Sequence, residues 1–348
     1  MTRDLASLHA DLPVWAAPMA GGPSTPAMVA AAAGAGGLGL LAAGYKTAGA
    51  LAAQIAEVRM LTGAAFGVNV FAPNPLPVSL QDYRDYGRTL QPEAGRYGLT
   101  LPSEQPRNED DDAWADKLDL LLRDPVPLVS FTFGLPGADA VKALQDAGTV
   151  VAQTVTTTAE ALAAAQIGVD ALVVQAPAAG GHSATLSPAQ PLASIALPDL
   201  VSDVRNAVGL PLLAAGGIAT ASDVADALRA GAHATMVGTV LLRTHESGAS
   251  AAHQAALVDP AFTETTVTHA FTGRPARALR NRFIDTYETH APLGYPALHH
   301  LTTGLRKAAA AAGDTDLVHL WAGTGWRQAR EESVADALTR LAAEATAS

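Results

Sequence analysis

His182 stands directly after Gly180-Gly181, downstream of a β-branched run, Leu172-Val173-Val174, that ends on Gln175. An imidazole titrates near neutrality and can take a proton from a substrate. Paired glycines strip away side-chain bulk, so a flat ligand can lie against the main chain. Gln175 adds a polar amide where a buried strand should stop. Taken alone, Gly-Gly-His reads more simply as a turn with a solvated histidine. The neighbouring segments shift that balance.

Two more apolar runs end in glycine: Ala214-Ala215-Gly216-Gly217-Ile218 and Met236-Val237-Gly238-Thr239. Such tips expose backbone N–H groups, and a following helix N-terminus adds positive potential, which suits phosphate. Asn69 lies inside the apolar FGVNVF, and Gln153 reads as ending the fifth strand in the same manner as Gln175. A buried amide must find hydrogen bonds, either within the core or on a ligand's edge. Three amides and two glycine tips suit a flat heteroaromatic ring bearing one phosphate. Non-covalent FMN meets that description.

Other motifs carry less. Gly34-Ala35-Gly36-Gly37-Leu38-Gly39 matches a dinucleotide fingerprint, but it follows a helix and enters a strand, the reverse of the required order. His245-Glu246 lacks the second histidine of a zinc-protease helix. His299-His300 has no partner at ligand spacing, so a packing or surface role is expected and no metal. His233, His253, His269 and His319 have no local constellation. Cysteine is absent, which excludes disulfides, thiolate metal sites and a Cys nucleophile.

The elements that must position these residues alternate between strand and helix. Strands are expected at 14–18, 37–41, 66–71, 128–133, 150–155, 172–175, 211–215 and 234–238, with helices between them. Ser24 or Thr25, Thr47, and Thr220 or Ser222 are the expected helix caps. Eight such units imply a (β/α)8 TIM barrel as a single domain, whose chemistry sits at the C-terminal strand ends. Residues 73–123 read as an insertion after the third strand, a lid with one or two helices. Its acidic run, 109–112, reads as a solvated face. Residues 240–348 read as C-terminal segments completing the site, with extra helices near 299–312 and 327–345.

Composition agrees. The 348 residues are 49% hydrophobic and 16% charged, enough for a large core. A net charge of −11 excludes the basic surface that nucleic acid needs. The apolar window 28–45 contains five glycines and splits into a helix and a strand, so a membrane span is not expected. The N-terminal stretch lacks a signal-peptide core, and a cytoplasmic protein is expected. A homo-oligomer is compatible with the sequence.

Several blocks, in order, resemble the nitronate monooxygenases of class I type (formerly 2-nitropropane dioxygenases). They include APMAGGPSTPAMVAAAAGAGGLGLLAAGY, FGVNVF, VSFTFGLP, the segment from Gln175 to His182, LLAAGGIATASDVADALRAGAHATMVGTVLL and LTTGLRKAA. The resemblance implies an FMN-bound barrel oxidising alkyl nitronates, such as propionate 3-nitronate, with O₂ to a carbonyl compound and nitrite. It implies FMN contacts from Asn69, Gln175, Gly180, Gly217, Met236, Val237, Gly238 and Thr239, with His182 as catalytic base. Met19, Gln153, Gly181 and Gly216 complete the expected cofactor set, and Tyr295 is expected to face substrate. Relatives usually carry Gly and an acidic residue after the glutamine and Arg-Gly after the histidine. Here Ala176, Pro177, Ser183 and Ala184 stand there, which bears on substrate preference. Two other readings stay open: an FMN-dependent enoyl-thioester reductase on the same barrel, and a non-redox barrel binding a phosphate ligand.

Overall fold

The computed structural model describes residues 5–343. The first strands are β1 (Val14–Ala16), β2 (Leu40–Ala42), β3 (Gly67–Ala72), β4 (Leu128–Phe133), β5 (Val150–Val155) and β6 (Ala171–Gln175). A two-residue strand, β7 (Gly181–His182), lies outside the barrel and precedes β8 (Leu212–Ala215) and β9 (Ala234–Val237). The barrel strands are parallel, in the order β1-β9-β8-β6-β5-β4-β3-β2. A parallel bridge between Ala16 and Gly39 links the two ends, giving a (β/α)8 TIM barrel.

Both faces of each strand are covered, so the strands read as continuous apolar runs and not as alternating ones. Trp15, Leu40, Leu128, Val150, Ala152, Val173, Leu213 and Met236 fill the barrel. Val14, Leu41, Val68, Val151, Leu172, Leu212 and Val237 pack outward under the helices.

Those helices start where the sequence offers a cap. Thr25 accepts from Met28 N–H at the start of α1 (Pro26–Gly34), and Thr47 from Ala50 N–H at α2 (Ala48–Leu61). Ser24 does not cap: its hydroxyl accepts from Met19 N–H at 2.8 Å and holds the turn after β1. Of the insertion expected over 73–123, only part is extra. It contributes α3 (Leu80–Gly95), but α4 (Trp114–Arg123) lies between α2 and α5 (Ala138–Asp146) in the helical ring. The ring continues with α6 (Thr158–Gln166), α7 (Leu197–Ala207) and α8 (Ala221–Arg229), the last closed by a Thr220–Asp223 capping box.

After β9 the chain leaves the ring and builds a second layer. It comprises α9 (Ala251–Ala256), β10 (Thr265–Thr268), β11 (Ala276–Leu279), α10 (Arg282–Tyr287) and α11 (Ala297–Ala311). Tyr83, Tyr86 and Leu90 of α3 pack there with Phe271, Phe283, Leu298 and Leu301 in a separate core. One helix was expected over 327–345. Instead a 3-10 turn, Trp326–Gln328, is followed by α12 (Val334–Ala342), whose start is set by Ser333 accepting from Asp336 N–H. The last two positions of that expected helix lie outside the described residues. α12 packs on α1, α8 and β1, so it is the eighth helix of the ring and not an addition to it. Among the described residues no helix is long and apolar enough to cross a membrane.

Candidate active site

His182 is not in a loose turn. β7 pairs antiparallel with β11, setting His182 opposite Ala276 and Gly181 opposite Arg277, and β11 pairs in turn with β10. A hairpin from the second layer therefore grips the histidine above the barrel rim. Gln175, on the tip of β6, ties the same segment down: its Oε1 accepts from Ala184 N–H at 2.8 Å, and its Nε2 donates to the His182 carbonyl at 3.4 Å.

The glycine tips meet beside it. A Cβ on Gly180 would sit 2.5 Å from the Gly323 nitrogen, so only glycine permits this crossing of main chains. Gly216 and Gly217 adopt φ +105° and +84°. Gly323 N–H donates to Thr239 Oγ1 at 2.9 Å, and Thr324 N–H to the Ala178 carbonyl at 3.0 Å. The tips of β6, β8 and β9 thus converge with the 323–324 turn, which sequence reading did not single out. No turn or loop hydrogen bond among the described residues uses the N–H groups of Gly216, Gly217, Gly238 or Thr239. Met19 lies over Gly238, where a Cβ would be 3.4 Å from its Sδ.

Asn69 points into the barrel, on the face opposite Val68 and Val70. Its Nδ2 donates to Ser130 Oγ and Thr132 Oγ1, both at 2.9 Å, and Thr132 continues to Thr154 Oγ1 at 3.3 Å. Its Oδ1 accepts from no described residue. A polar shelf of strand-borne groups therefore lies under the rim. Free N–H groups at two glycine tips and an unpaired amide oxygen on that shelf suit a flat ring carrying a phosphate. Gln153 does not join them. Strand alternation puts it with Val151 and Val155, paired to Phe131 and Leu172 on the outward face. It is fully buried, its Nε2 donates to the Thr154 carbonyl, and its Oε1 has no partner.

Above the shelf six rings form a circuit: His182, Tyr295, His299, Tyr45, Phe71 and Phe133. His182 lies 5.7 Å from both Tyr295 and Phe133, Phe133 4.5 Å from Phe71, and Phe71 5.4 Å from Tyr45. Tyr45 stacks on His299 at 4.3 Å, and His299 lies 6.4 Å from Tyr295. Phe133 (φ 80°) and Tyr45 (φ 65°) hold a left-handed backbone that bulky residues avoid, which is how strain collects at functional sites. The acidic run expected to be solvated helps hold this geometry. Asp112 accepts from Tyr45 N–H at 2.8 Å and pairs with the fully buried Lys117 at 2.6 Å, while Asp110 pairs with His300 at 2.8 Å.

Two buried guanidiniums flank the circuit, and neither has a carboxylate in contact. Arg274 lies 4.1 Å over the Phe133 ring and donates to the carbonyls of Thr185, Ser183 and Asn74. Arg306 donates to His319, His299, Thr302 and Thr303. Burial lowers each to about 10. The His182 ring keeps an accessible edge, yet enclosure by protein, then Arg274 and Arg306, push it down to about 3. His182 is therefore neutral at physiological pH, a proton acceptor beside positive potential.

A (β/α)8 barrel with its polar shelf, glycine tips and fixed imidazole at the C-terminal rim is an enzyme barrel by architecture and by site. The chain belongs to the nitronate monooxygenase family, whose model matches residues 3–344. It is 35% identical over 328 residues to a Staphylococcus aureus (strain MSSA476) protein named "Probable nitronate monooxygenase", covering 92% of this chain and 91% of that one. It is similar to the solved structure of a nitroalkane oxidase from Streptomyces ansochromogenes, at 45% identity and TM-score 0.91 over 99% of this chain and 98% of that one. It is also similar to FabK from Thermotoga maritima, at 25% identity and TM-score 0.76 over 100% and 96% of the two chains. The protein is thus an oxidoreductase of the nitronate-oxidising family.

Proposed function

We propose that this enzyme oxidises alkyl nitronates with O₂ on non-covalently bound FMN, giving a carbonyl compound and nitrite. The observation that carries the reading is the neutral His182, clamped by β11 beside three converging glycine tips. The phosphate would rest on the N–H groups of Gly216, Gly217, Gly238 and Thr239, with Gly180, Gly181, Met19, Val237 and Met236 around it. Asn69 and Gln175 would face the ring edge. When bound, FMN supplies the electron transfer.

The chain's own residues supply position and charge. Arg274 and Arg306 draw an anionic nitronate into the aromatic circuit. Together with burial, they also keep His182 unprotonated before substrate binds, and the nitronate charge formed beside them offsets the cost of an imidazolium once the proton is taken. With a neutral nitroalkane, His182 accepts the α-proton as charge moves onto the nitro oxygens. With a preformed nitronate that step is already complete, and His182 orients the anion. Tyr295, 5.7 Å from His182, forms the opposing wall and excludes water.

The test is the absorbance of freshly purified protein, followed by His182→Asn. The expected protein is yellow. The variant keeps its flavin and loses turnover of neutral nitroalkanes by roughly 100-fold or more, with a much smaller loss for nitronates. Equal loss on both substrates, or colourless wild type, overturns the reading. Likeness to FabK supports a second reading, flavin reduction by NAD(P)H. Anaerobic mixing with NADH and with a nitronate distinguishes the two by which one bleaches the flavin.

A further inference from the structure

We infer that His299 is a second functional imidazole: a fixed hydrogen-bond donor that recognises the nitro oxygens of the substrate. The inference rests on the nitronate reading above. His299 lies in the first turn of α11, within the same ring circuit as His182.

The chemistry of its neighbour decides its tautomer. Arg306 Nη2 lies 3.3 Å from His299 Nδ1, and the same nitrogen donates to the His299 carbonyl at 2.9 Å. A guanidinium can only donate. The two hydrogens of Arg306 Nη2 are shared with Thr303 Oγ1 at 2.9 Å as well, but a lone pair on His299 Nδ1 suits the facing positive charge and an N–H there would oppose it, so the geometry favours the ring proton on Nε2. That Nε2 bonds no described residue, and it is not among the sealed, unpartnered atoms. It is a nitrogen without a described protein partner on one ring of the aromatic circuit, and the ring is held by a stack on Tyr45 at 4.3 Å and 3° between planes. Enclosure by protein, followed by the charge of Arg306, pushes the ring down to about 2, so it stays neutral.

The two imidazoles then divide the work. His182 lies at the glycine tips and takes or neutralises a proton. His299 has its acceptor nitrogen occupied and cannot serve as a base through it. It can only donate, and an alkyl nitronate or nitroalkane offers two acceptor oxygens and no donor on its nitro group. His299 is accordingly a selectivity group for the nitro function.

The test compares wild-type holoenzyme with His299→Phe and His299→Gln by anaerobic mixing with ethyl nitronate, the Kd being read from saturation of the flavin-bleaching rate, or from the flavin's spectral shift where no bleaching follows. Phenylalanine preserves the ring stack on Tyr45 and removes the donor; glutamine restores a donor. The expected result is a Kd raised by about tenfold or more in His299→Phe and by no more than about threefold in His299→Gln, the scale of one hydrogen bond to a charged group. Imidazole ¹⁵N spectra of the wild type should show an Nε2–H tautomer unchanged from about pH 5 to about pH 9. Unchanged affinity in His299→Phe, or an Nδ1–H tautomer, overturns the inference. Wild type that binds ethyl nitronate without oxidising it sinks the functional reading but leaves the His299 question decided by the affinities. Wild type that does not bind it at all overturns both.

Discussion

Thr272 Oγ1 lies 2.8 Å from His182 Nε2 and 3.3 Å from the carbonyl oxygen of Arg274. A carbonyl only accepts, so a hydroxyl proton aimed at Arg274 leaves the Thr272 lone pair to receive Nε2–H from His182. Nδ1 of His182 is then the nitrogen left to take a substrate proton. Thr272 acts here through the histidine, as a positioning residue. Thr272→Val should lower kcat on neutral nitroalkanes by roughly tenfold while KM for a nitronate moves little, and Thr272→Ser should recover the loss. Imidazole ¹⁵N shifts of His182 give the independent readout. A Thr272→Val enzyme with wild-type kcat and tautomer would remove this role.

The glycine tips give a separate prediction. Gly217 has φ +84°, and a Cβ there would meet Ala178 Cβ at 2.9 Å. Gly217→Ala combines a strained backbone, about 1 kcal/mol, with a clash at the proposed phosphate contact. The expected outcome is a folded protein purified with much less flavin per chain, measured by visible absorbance against protein concentration. Full flavin content in Gly217→Ala would place the phosphate elsewhere.

The barrel and its glycine tips were legible because both are local signals. Strand period, caps such as Thr47 and Thr220, and Gly-Gly at a strand end all lie within a few residues. What was hidden is set by partners distant in sequence. Thr272 reaches His182 from across 90 residues, Arg274 acts on it through charge from the same segment, and neither belongs to a motif. His299 acquires its meaning from Arg306 and Tyr45. Of the acidic run, Glu109, Asp110 and Asp111 are exposed as expected, whereas Asp112 is drawn in by Lys117 and the Tyr45 N–H, which come from other segments. Gln153 failed for a different reason. β5 is buried on both faces, so no polar alternation marks which side its amide takes.

Histidines set the response to acid. Enclosure holds His253 at about 4, His182 at about 3 and His299 at about 2, and His319 also well below its ordinary value. Unfolded, each titrates near 6.5. Below that pH the unfolded chain binds protons that the folded chain refuses. Stability from these groups is full above about pH 6.5 and is lost as pH falls towards the folded values. Denaturation midpoints should therefore drop steeply from about pH 6 downward, with His253→Gln taking up about one proton fewer on unfolding. A flat profile between about pH 6 and pH 4 would show these rings are protonated in the fold.

His269 has the opposite sign. Burial lowers it, but the hydrogen bond and charge of Glu288, 2.7 Å away, outweigh burial and raise it. Glu288 is lowered: burial opposes, and the bonds from His269 and Thr268 prevail. The histidine's contribution is full below about pH 6.5 and lost as pH rises through its folded value. The carboxylate's is present above about pH 4.5 and lost as pH falls. His269→Gln should thus cost about 1 kcal/mol near pH 5.5 and clearly less at pH 9, by urea denaturation at both. An equal cost at both would mean the pair contributes by packing alone.

Asp112 offers the sharpest test of how the mouth is held. Its carboxylate meets Lys117, whose side chain is 0% exposed, and accepts the N–H of left-handed Tyr45. Asp112→Asn leaves an ammonium buried without a counter-charge, a loss of about 3–5 kcal/mol by analogy with broken buried pairs. Asp112→Asn with Lys117→Met removes both charges and should recover most of that stability. The amide of asparagine can still accept from Tyr45 N–H, so the ring circuit should survive in the double variant. Its KM for a nitronate is then expected near wild type, while Asp112→Ala with Lys117→Met, which lacks that acceptor, should show a raised KM, with about 1 kcal/mol further loss of stability because Asp112 itself holds a left-handed φ of 58°. If both double variants bind nitronate alike, the Asp112 contact with Tyr45 serves the fold and not the pocket.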